Sequence, residues 1–414
     1  MAEKNDNYGS KNGSRPGYYG SKNNNYNRNN NRKGNGNKGS RGTKNKIEKV
    51  NPYTFVPFSK RVVRRNIEEY LNDNKEKLIT GRIDCVLKTK SPLAIPDKIK
   101  NKNDEHKSYY FYEVGGIPII PGSSIRGCMR NIFETVTESC VSKIDEGKLT
   151  DGKNTSATRN KKMKSIMGKH SVCVRKENVC STCALFGLTG ERAMGSRVRF
   201  TDAVMELGKP LEEMTHKNIT LKELASPQVS AVKLYTKKPD DSAKSWSYGY
   251  YTDAEKNKHF FEVNAEFLNG RKYYWHHKFD INGSKRVKRN KRNATMDLIK
   301  ENAEFRYSVF FDGITEEELN KLLWAISLGD NDNEIYCQKI GHGKPLGLGS
   351  VNNRVEKVIV KKKSYDLNSD YVEWNVSEIK DRISSIEEKL DSKSVLELKK
   401  ITNLNAKKGE LVSY

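Results

Sequence analysis

The chain has 414 residues, carries a formal net charge of +24 and is 35% hydrophobic. That length supports a sizeable core, and the charge points to a polyanionic partner such as nucleic acid. No apolar run approaches a membrane span and no signal-peptide pattern opens the chain, so a soluble cytoplasmic protein with no membrane partner is expected. Residues 1–46 hold almost no aliphatic side chains, and Tyr-Gly-Ser-Lys-Asn occurs twice, at 8–12 and 19–23. Such a segment buries too little apolar surface to offset its chain entropy and is expected to be a disordered basic tail. It is either a solubilising tail or an RNA arm, with tyrosines stacking on bases and cations following phosphates.

A helix is expected over Val62–Lys77. From Gly81 the pattern alternates, with Ile83, Cys85 and Leu87 on one face, which predicts a half-buried strand. Ser91–Asp97 follows, then a polar loop to Lys107, and further strands over Tyr109–Val114 and Ile117–Ile120. Pro118 and Pro121 hold the next entry extended, Gly122 permits a sharp turn, and Ser123 or Ser124 can cap a helix. Ile125, Met129, Ile132, Phe133 and Val136 give that helix one apolar face, while Arg126 and Arg130 lie one turn apart on another. The corner suits a phosphate, or is a plain strand-to-helix junction with solvated arginines.

Residues 141–169 are lysine-rich and read as an insertion. His170, Cys173, Cys180 and Cys183 follow as His-x-x-Cys and Cys-x-x-Cys, a Cys3His set that would close the coordination of a structural zinc. The alternative is three buried or reactive thiols beside an unrelated histidine. The chain's seven cysteines, an odd number, also favour metal ligation over a disulfide framework. Ser196–Val204 alternates again, with Arg197 and Arg199 on one side. Residues 206–300 combine aromatic stretches, Tyr235–Tyr251 and Tyr273–His277, with the basic run Lys285–Arg292, and are read as an insertion or thumb-like hairpin suited to single-stranded RNA.

Glu304–Gly313 is predicted as a strand. Thr315–Glu318 forms a capping box, and Leu319, Leu322, Leu323 and Ile326 form the buried stripe of the helix it opens. Four glycines then fall within Gly341–Gly349, with Lys344 among them, and a strand runs on to Val360. The loop is not a Walker phosphate loop, since no Gly-Lys-Ser/Thr is present at the right spacing and no helix follows. Beyond Lys361 the chain turns polar, and Val376–Ile401 reads as one or two amphipathic helices carrying Ile379, Ile383, Ile386, Leu390, Leu396 and Leu398.

Taken together, Ile120–Arg130, Phe305–Asp330 and Gly341–Gly349 resemble the RAMP (repeat-associated mysterious protein) superfamily of CRISPR-associated proteins. The resemblance implies an α+β fold: an RRM-like (ferredoxin-like) core over residues 47–360, with insertions at about 141–195 (zinc) and 206–300, and a C-terminal helical tail over 361–414. It implies a guide-RNA-binding backbone subunit most like those of type III effector complexes, with target RNA and other effector subunits as partners. Ser123, Ser124, Arg126 and Arg130 would then hold phosphates, and the loop with His342, Lys344, Gly347 and Gly349 would supply N–H groups and charge. Backbone subunits that cut target RNA place an acidic residue in the loop after the first strand to assist divalent-metal chemistry. Asp97, Asp104 and Glu105 are the candidates here, with magnesium as the metal. Two other readings stay open: a RAMP endoribonuclease that processes precursor CRISPR RNA through a histidine, and a zinc-containing RNA-binding protein outside CRISPR systems.

Overall fold

Period-two burial builds the centre of the molecule. The computed structural model describes residues 50–72, 78–101, 105–142, 167–189, 193–224, 232–332, 334–362, 371–407, 410 and 412. The tail over 1–46, Asp104 and most of the lysine-rich insertion lie outside the described residues. Strand β3 (Ile79–Thr89) runs antiparallel between β17 (Glu304–Ile314) and β19 (Ser350–Lys362), so that Cys85 faces Tyr307 on one side and Val355 on the other. Register shifts at Phe311/Ile314 and Val355/Lys357 insert extra backbone into the two outer strands, which bends the sheet into a curl.

The sheet continues from β17 through β10 (Ala203–Met205) and β7 (Ile117–Ile120) to the short β6 (Glu113–Val114). At its other side stand β18 (Gln338–Lys339) and β20 (Tyr371–Trp374), both paired with β19, while β9 (Val198–Phe200) pairs with the far end of β17. Two helices cover one face: α2 (Gly122–Val136) and α6 (Glu316–Ser327). Their stripes, from Ile125 to Val136 and from Leu319 to Ile326, share one core with Ile83, Leu87, Phe305 and Val309. The capping box of α6 is formed, and Glu318 additionally holds Arg197 in a bidentate, nearly buried ion pair. Helices α7 (Val376–Ile386) and α8 (Ser392–Thr402) add Ile379, Ile383, Ile386 and Leu398 to the same core, and Leu390 joins it from the connection between them. Leu396 departs from the expected stripe and is 68% exposed.

The stretch expected as a polar loop is partly ordered as strand. Pro96–Ile99 (β4) pairs with β5 (Lys107–Phe111), which runs parallel to β16 (Ala294–Ile299), and β16 in turn pairs with β11 (Thr215–Thr220). This second sheet has its own small core of Ala94, Ile219, Leu221, Phe279, Met296, Leu298 and Leu348, against which α5 (Ile281–Lys285) starts. The 206–300 segment is therefore not one hairpin. It also supplies the turn helix α4 (Val232–Tyr235), the small sheet β12–β13–β14 (Ser245–Ser247, Tyr250–Thr252, Lys258–Phe260), and β15 (Arg271–Tyr274), which pairs with β1 (Tyr53–Val56). Of the helix expected over Val62–Lys77, the described part is α1 (Ile67–Asn72), preceded by β2 (Arg64–Arg65). β2 pairs with β8 (Val179–Cys180) beside α3 (Ser181–Phe186), and these hold the cysteine-bearing insertion against α2.

Candidate RNA groove and metal centre

Helix α2 begins at Gly122 with Pro121 as its N-cap, so neither serine caps it. The Gly122 N–H donates to the Asp202 carboxylate at 2.7 Å, which satisfies the first free amide of the helix. A Cβ at Gly122 would lie 2.5 Å from the Phe200 carbonyl oxygen, so glycine is required by the close passage of the β9–β10 turn. Ser123 and Ser124 stand one step further on, exposed, and line a groove of about 690 Å³.

The glycine loop borders the same groove, through Gly341, His342 and Lys344. Its glycines serve packing. Gly341, Gly347 and Gly349 have positive φ, and a Cβ on each would lie within 2.7 Å of the carbonyl oxygens of Ala94, His277 and Ile340 respectively. The amides of His342, Leu346, Gly347 and Gly349 donate to carbonyls of the chain itself. The expectation that Gly347 and Gly349 offer N–H groups to a phosphate is thus corrected: these amides are consumed in folding the loop, and the side chains of His342 and Lys344 face the groove instead.

Below the loop lies Lys339, which the sequence reading missed. Its ammonium is buried and donates to the carbonyl oxygens of Gly347 (3.0 Å) and Leu348 (2.9 Å). Burial, with the nearby charge of Lys344, brings it down to about 7. The remaining wall carries Lys272, Tyr273, Tyr274 and His276. Lys272 sits 3.8 Å above the Tyr53 ring and 5.3 Å from those of Tyr235 and Tyr274, and its burial lowers its proton affinity. His276 is buried against Ser350, 2.9 Å from its hydroxyl, and burial keeps it neutral; burial and Lys344 also hold His342 below the usual imidazole range. Among the described residues no Asp or Glu lines the groove.

Arg126 and Arg130 do not face it. Arg126 donates to the Phe186 carbonyl and lies over that ring, while Arg130 pairs with Glu134 and reaches the Gly187 carbonyl (3.2 Å) and Cys183 Sγ (3.6 Å). Both arginines bind the cysteine insertion to α2, a role their helical spacing could not reveal. Asp97 is on β4, next to the groove-lining Pro96, whereas Glu105 is at the far turn of the β4–β5 pair. The two carboxylates form no metal-binding group among the described residues.

The second centre is a set of four buried thiols, Cys140, Cys173, Cys180 and Cys183, whose sulfurs all lie within 4.8 Å of one another. Cys140 Sγ is 3.5 Å from Cys183 Sγ and 3.7 Å from Cys180 Sγ, close to the edge of about 3.8 Å that a tetrahedron of 2.3 Å zinc–sulfur bonds requires. Hydrogen bonds from Cys140 and Cys173 hold the Cys180 thiol far below its ordinary range, while the same network pushes Cys183 and Cys140 up, so one thiolate is shared among neighbouring thiols and a bound cation would draw off the other protons. Such a cluster suits a metal ion such as zinc. It corrects the expected ligand set: His170 is turned away, its Nε2 donating to the Ser59 carbonyl at 2.8 Å, and Cys140 takes the fourth place. Buried Arg271 fixes Cys140 there by donating to the carbonyls of Ser139 (2.9 Å) and Cys140 (3.1 Å). Neither Cys-x-x-Cys spacing nor the histidine pointed to a cysteine so far upstream.

Residues 86–352, more than half of the chain, match the family model of the RAMP superfamily. The chain belongs to the RAMP superfamily. No curated protein matches it. RAMP membership carries a CRISPR-associated role in RNA binding or processing, with RNA and CRISPR components as partners. Among the described residues, no helix of this RAMP protein is long and apolar enough to cross a membrane.

Proposed function

We propose that this RAMP protein is a guide-RNA-binding backbone subunit of a type III-like CRISPR effector complex in antiviral defence. The observation that carries the reading is the groove that two glycine corners, far apart in sequence, border together, with lysines and, among the described residues, no carboxylate. A sugar–phosphate chain entering it meets the hydroxyls of Ser123 and Ser124 together with Lys344, His342 and Lys272. The strand order β19-β3-β17-β10, with α2 following the first strand and α6 the third, supports a ferredoxin-like core. Zinc in the four-cysteine set is structural, since four thiolates close its coordination. Asp97, beside the groove-lining Pro96, is the carboxylate best placed to assist magnesium-dependent cleavage of target RNA.

Co-purification followed by sequencing of the bound RNA tests the assignment: guide-length RNA carrying repeat-derived sequence is expected, and mixed cellular RNA would overturn it. In the assembled complex, Asp97→Ala should abolish magnesium-dependent cutting of complementary RNA while guide binding persists. Unchanged cutting would remove Asp97 from the chemistry.

A further inference from the structure

Beyond the groove, the basic run after α5 is held in place. Asn290 Oδ1 accepts from the amides of Arg292 (2.7 Å) and Asn293 (3.1 Å), and Asn293 Oδ1 accepts from that of Asn290 (3.0 Å). Buried Asn293 also donates its side-chain N–H to the Lys288 carbonyl at 2.8 Å, and the His106 ring donates to the Asn290 carbonyl at 2.9 Å. The end of α5, with Lys285 and Arg286, and the turn pinned in this way, with Lys288, Arg289 and Lys291, present five cations to solvent. Arg292 pairs with Glu223, but none of the other five has a carboxylate partner among the described residues. An ordinary solvated face intersperses its charges, as the outer face of β17 and β19 does, where Arg306 is bound by Glu206 and Glu356. Five like charges within one short stretch repel one another, and a polyanion relieves that repulsion.

The turn is joined to the groove. His276 lines the groove, and the backbone of His277–Phe279 passes directly under Gly347, close enough that a Cβ there would sit 2.7 Å from the His277 carbonyl. Phe279 and Ile281, which lead into α5, pack with Leu346 and Leu348 of the glycine loop. The base of the basic turn and one wall of the groove thus belong to one small core.

We propose that Lys285–Arg292 is a phosphate-binding rail that continues the groove and holds single-stranded RNA beyond the segment seated there. The proposal rests on the RNA reading of the groove. Recognition is of the sugar–phosphate backbone, without base preference, since lysines and arginines on an exposed turn reach charge rather than base edges.

The test compares the full-length protein with a variant in which Lys285, Arg286, Lys288, Arg289 and Lys291 are all replaced by Gln. Binding of labelled oligouridylates of about 6 and about 20 nucleotides is followed by anisotropy over a salt series. For the long oligomer the variant should lose at least about tenfold in affinity, and its log–log salt slope should flatten by about 2–4, at roughly 0.7 per phosphate released. The short oligomer should bind both proteins equally, and the thermal midpoint should not fall, because among the described residues these side chains make no hydrogen bond or ion pair and the substitution removes their mutual repulsion. An unchanged long-oligomer affinity and slope would overturn the rail. Equal losses for both lengths would overturn it as well, by making the turn part of the primary site. A Lys344→Gln variant separates the two ideas: if it leaves both oligomers unaffected, the groove reading itself fails.

Discussion

A single thiol decides whether the insertion has a complete ligand set. Because Cys140 sits within 3.7 Å of two partner sulfurs while His170 spends its Nε2 on a carbonyl, the two residues make opposite predictions. If the set holds zinc as proposed, Cys140→Ser should lose it and destabilise the protein by roughly 3 kcal/mol or more, whereas His170→Gln should keep stoichiometric zinc in metal analysis. A loss of zinc in His170→Gln alone would restore the Cys3His set. Lys339 makes a second prediction at this scale. Its folded-state value is about 7, well below the ordinary 10.5, so between those limits the folded chain has released a proton that the unfolded chain retains. Stability contributed through this group therefore rises with pH across that window. A polyanion in the groove favours the ammonium and reverses the balance, so RNA binding should take up about half a proton at pH 7, rising toward one by about pH 8.5. Affinity should then fall by up to about tenfold per pH unit above 7. His276 and His342, also lowered, would add their uptake below that window. Calorimetry in buffers of different ionisation enthalpy reads the uptake, and Lys339→Met should abolish it.

The glycine loop shows how an element can be legible in sequence while its purpose is not. Glycine spacing announces positive φ and close approach, but not what approaches. Here the partners are the chain's own carbonyls, with the Ile340 oxygen 1.9 Å from where a Gly349 Cβ would stand. Gly349→Ala should therefore destabilise the RNA-free protein by roughly 2–4 kcal/mol in denaturant unfolding. A variant of native stability that had lost only RNA affinity would return the glycine to the ligand. Elements with local signals were readable: the Thr315–Glu318 box and the Leu319–Ile326 stripe fixed α6, and alternation fixed β3. What escaped depended on distant partners. Pro96–Ile99 carries little apolar alternation and is a strand only because β5 pairs with it. Arg126 and Arg130 lie on the expected helix, but the insertion folded against α2 takes their side chains from the groove.

At the scale of the whole molecule, two concave faces differ in charge. The larger, about 1130 Å³, is lined by the carboxylates of Glu69, Glu138, Glu316, Glu317, Glu318, Glu388 and Asp391, which outnumber its cations: Lys321 and Lys389 are tied to Glu317, Arg61 to Glu138, and Arg65 stands beside them. The smaller is the groove, where Lys272, Lys339 and Lys344 meet no carboxylate. Cavity size alone would choose the acidic face, yet a phosphodiester entering there meets a surplus of like charge at short range, whereas the groove offers lysines that no carboxylate has paired. Acetylation of surface lysines, read by mass spectrometry with and without bound RNA, distinguishes the faces. Lys272 and Lys344 should be protected several-fold by RNA, and Lys321 and Lys389 should react equally in both states. Protection should fade as salt approaches 1 M, where the screening length contracts to about 3 Å. Protection of Lys321 and Lys389 in place of Lys272 and Lys344 would put the RNA on the acidic face and leave the two glycine corners as a folding device only.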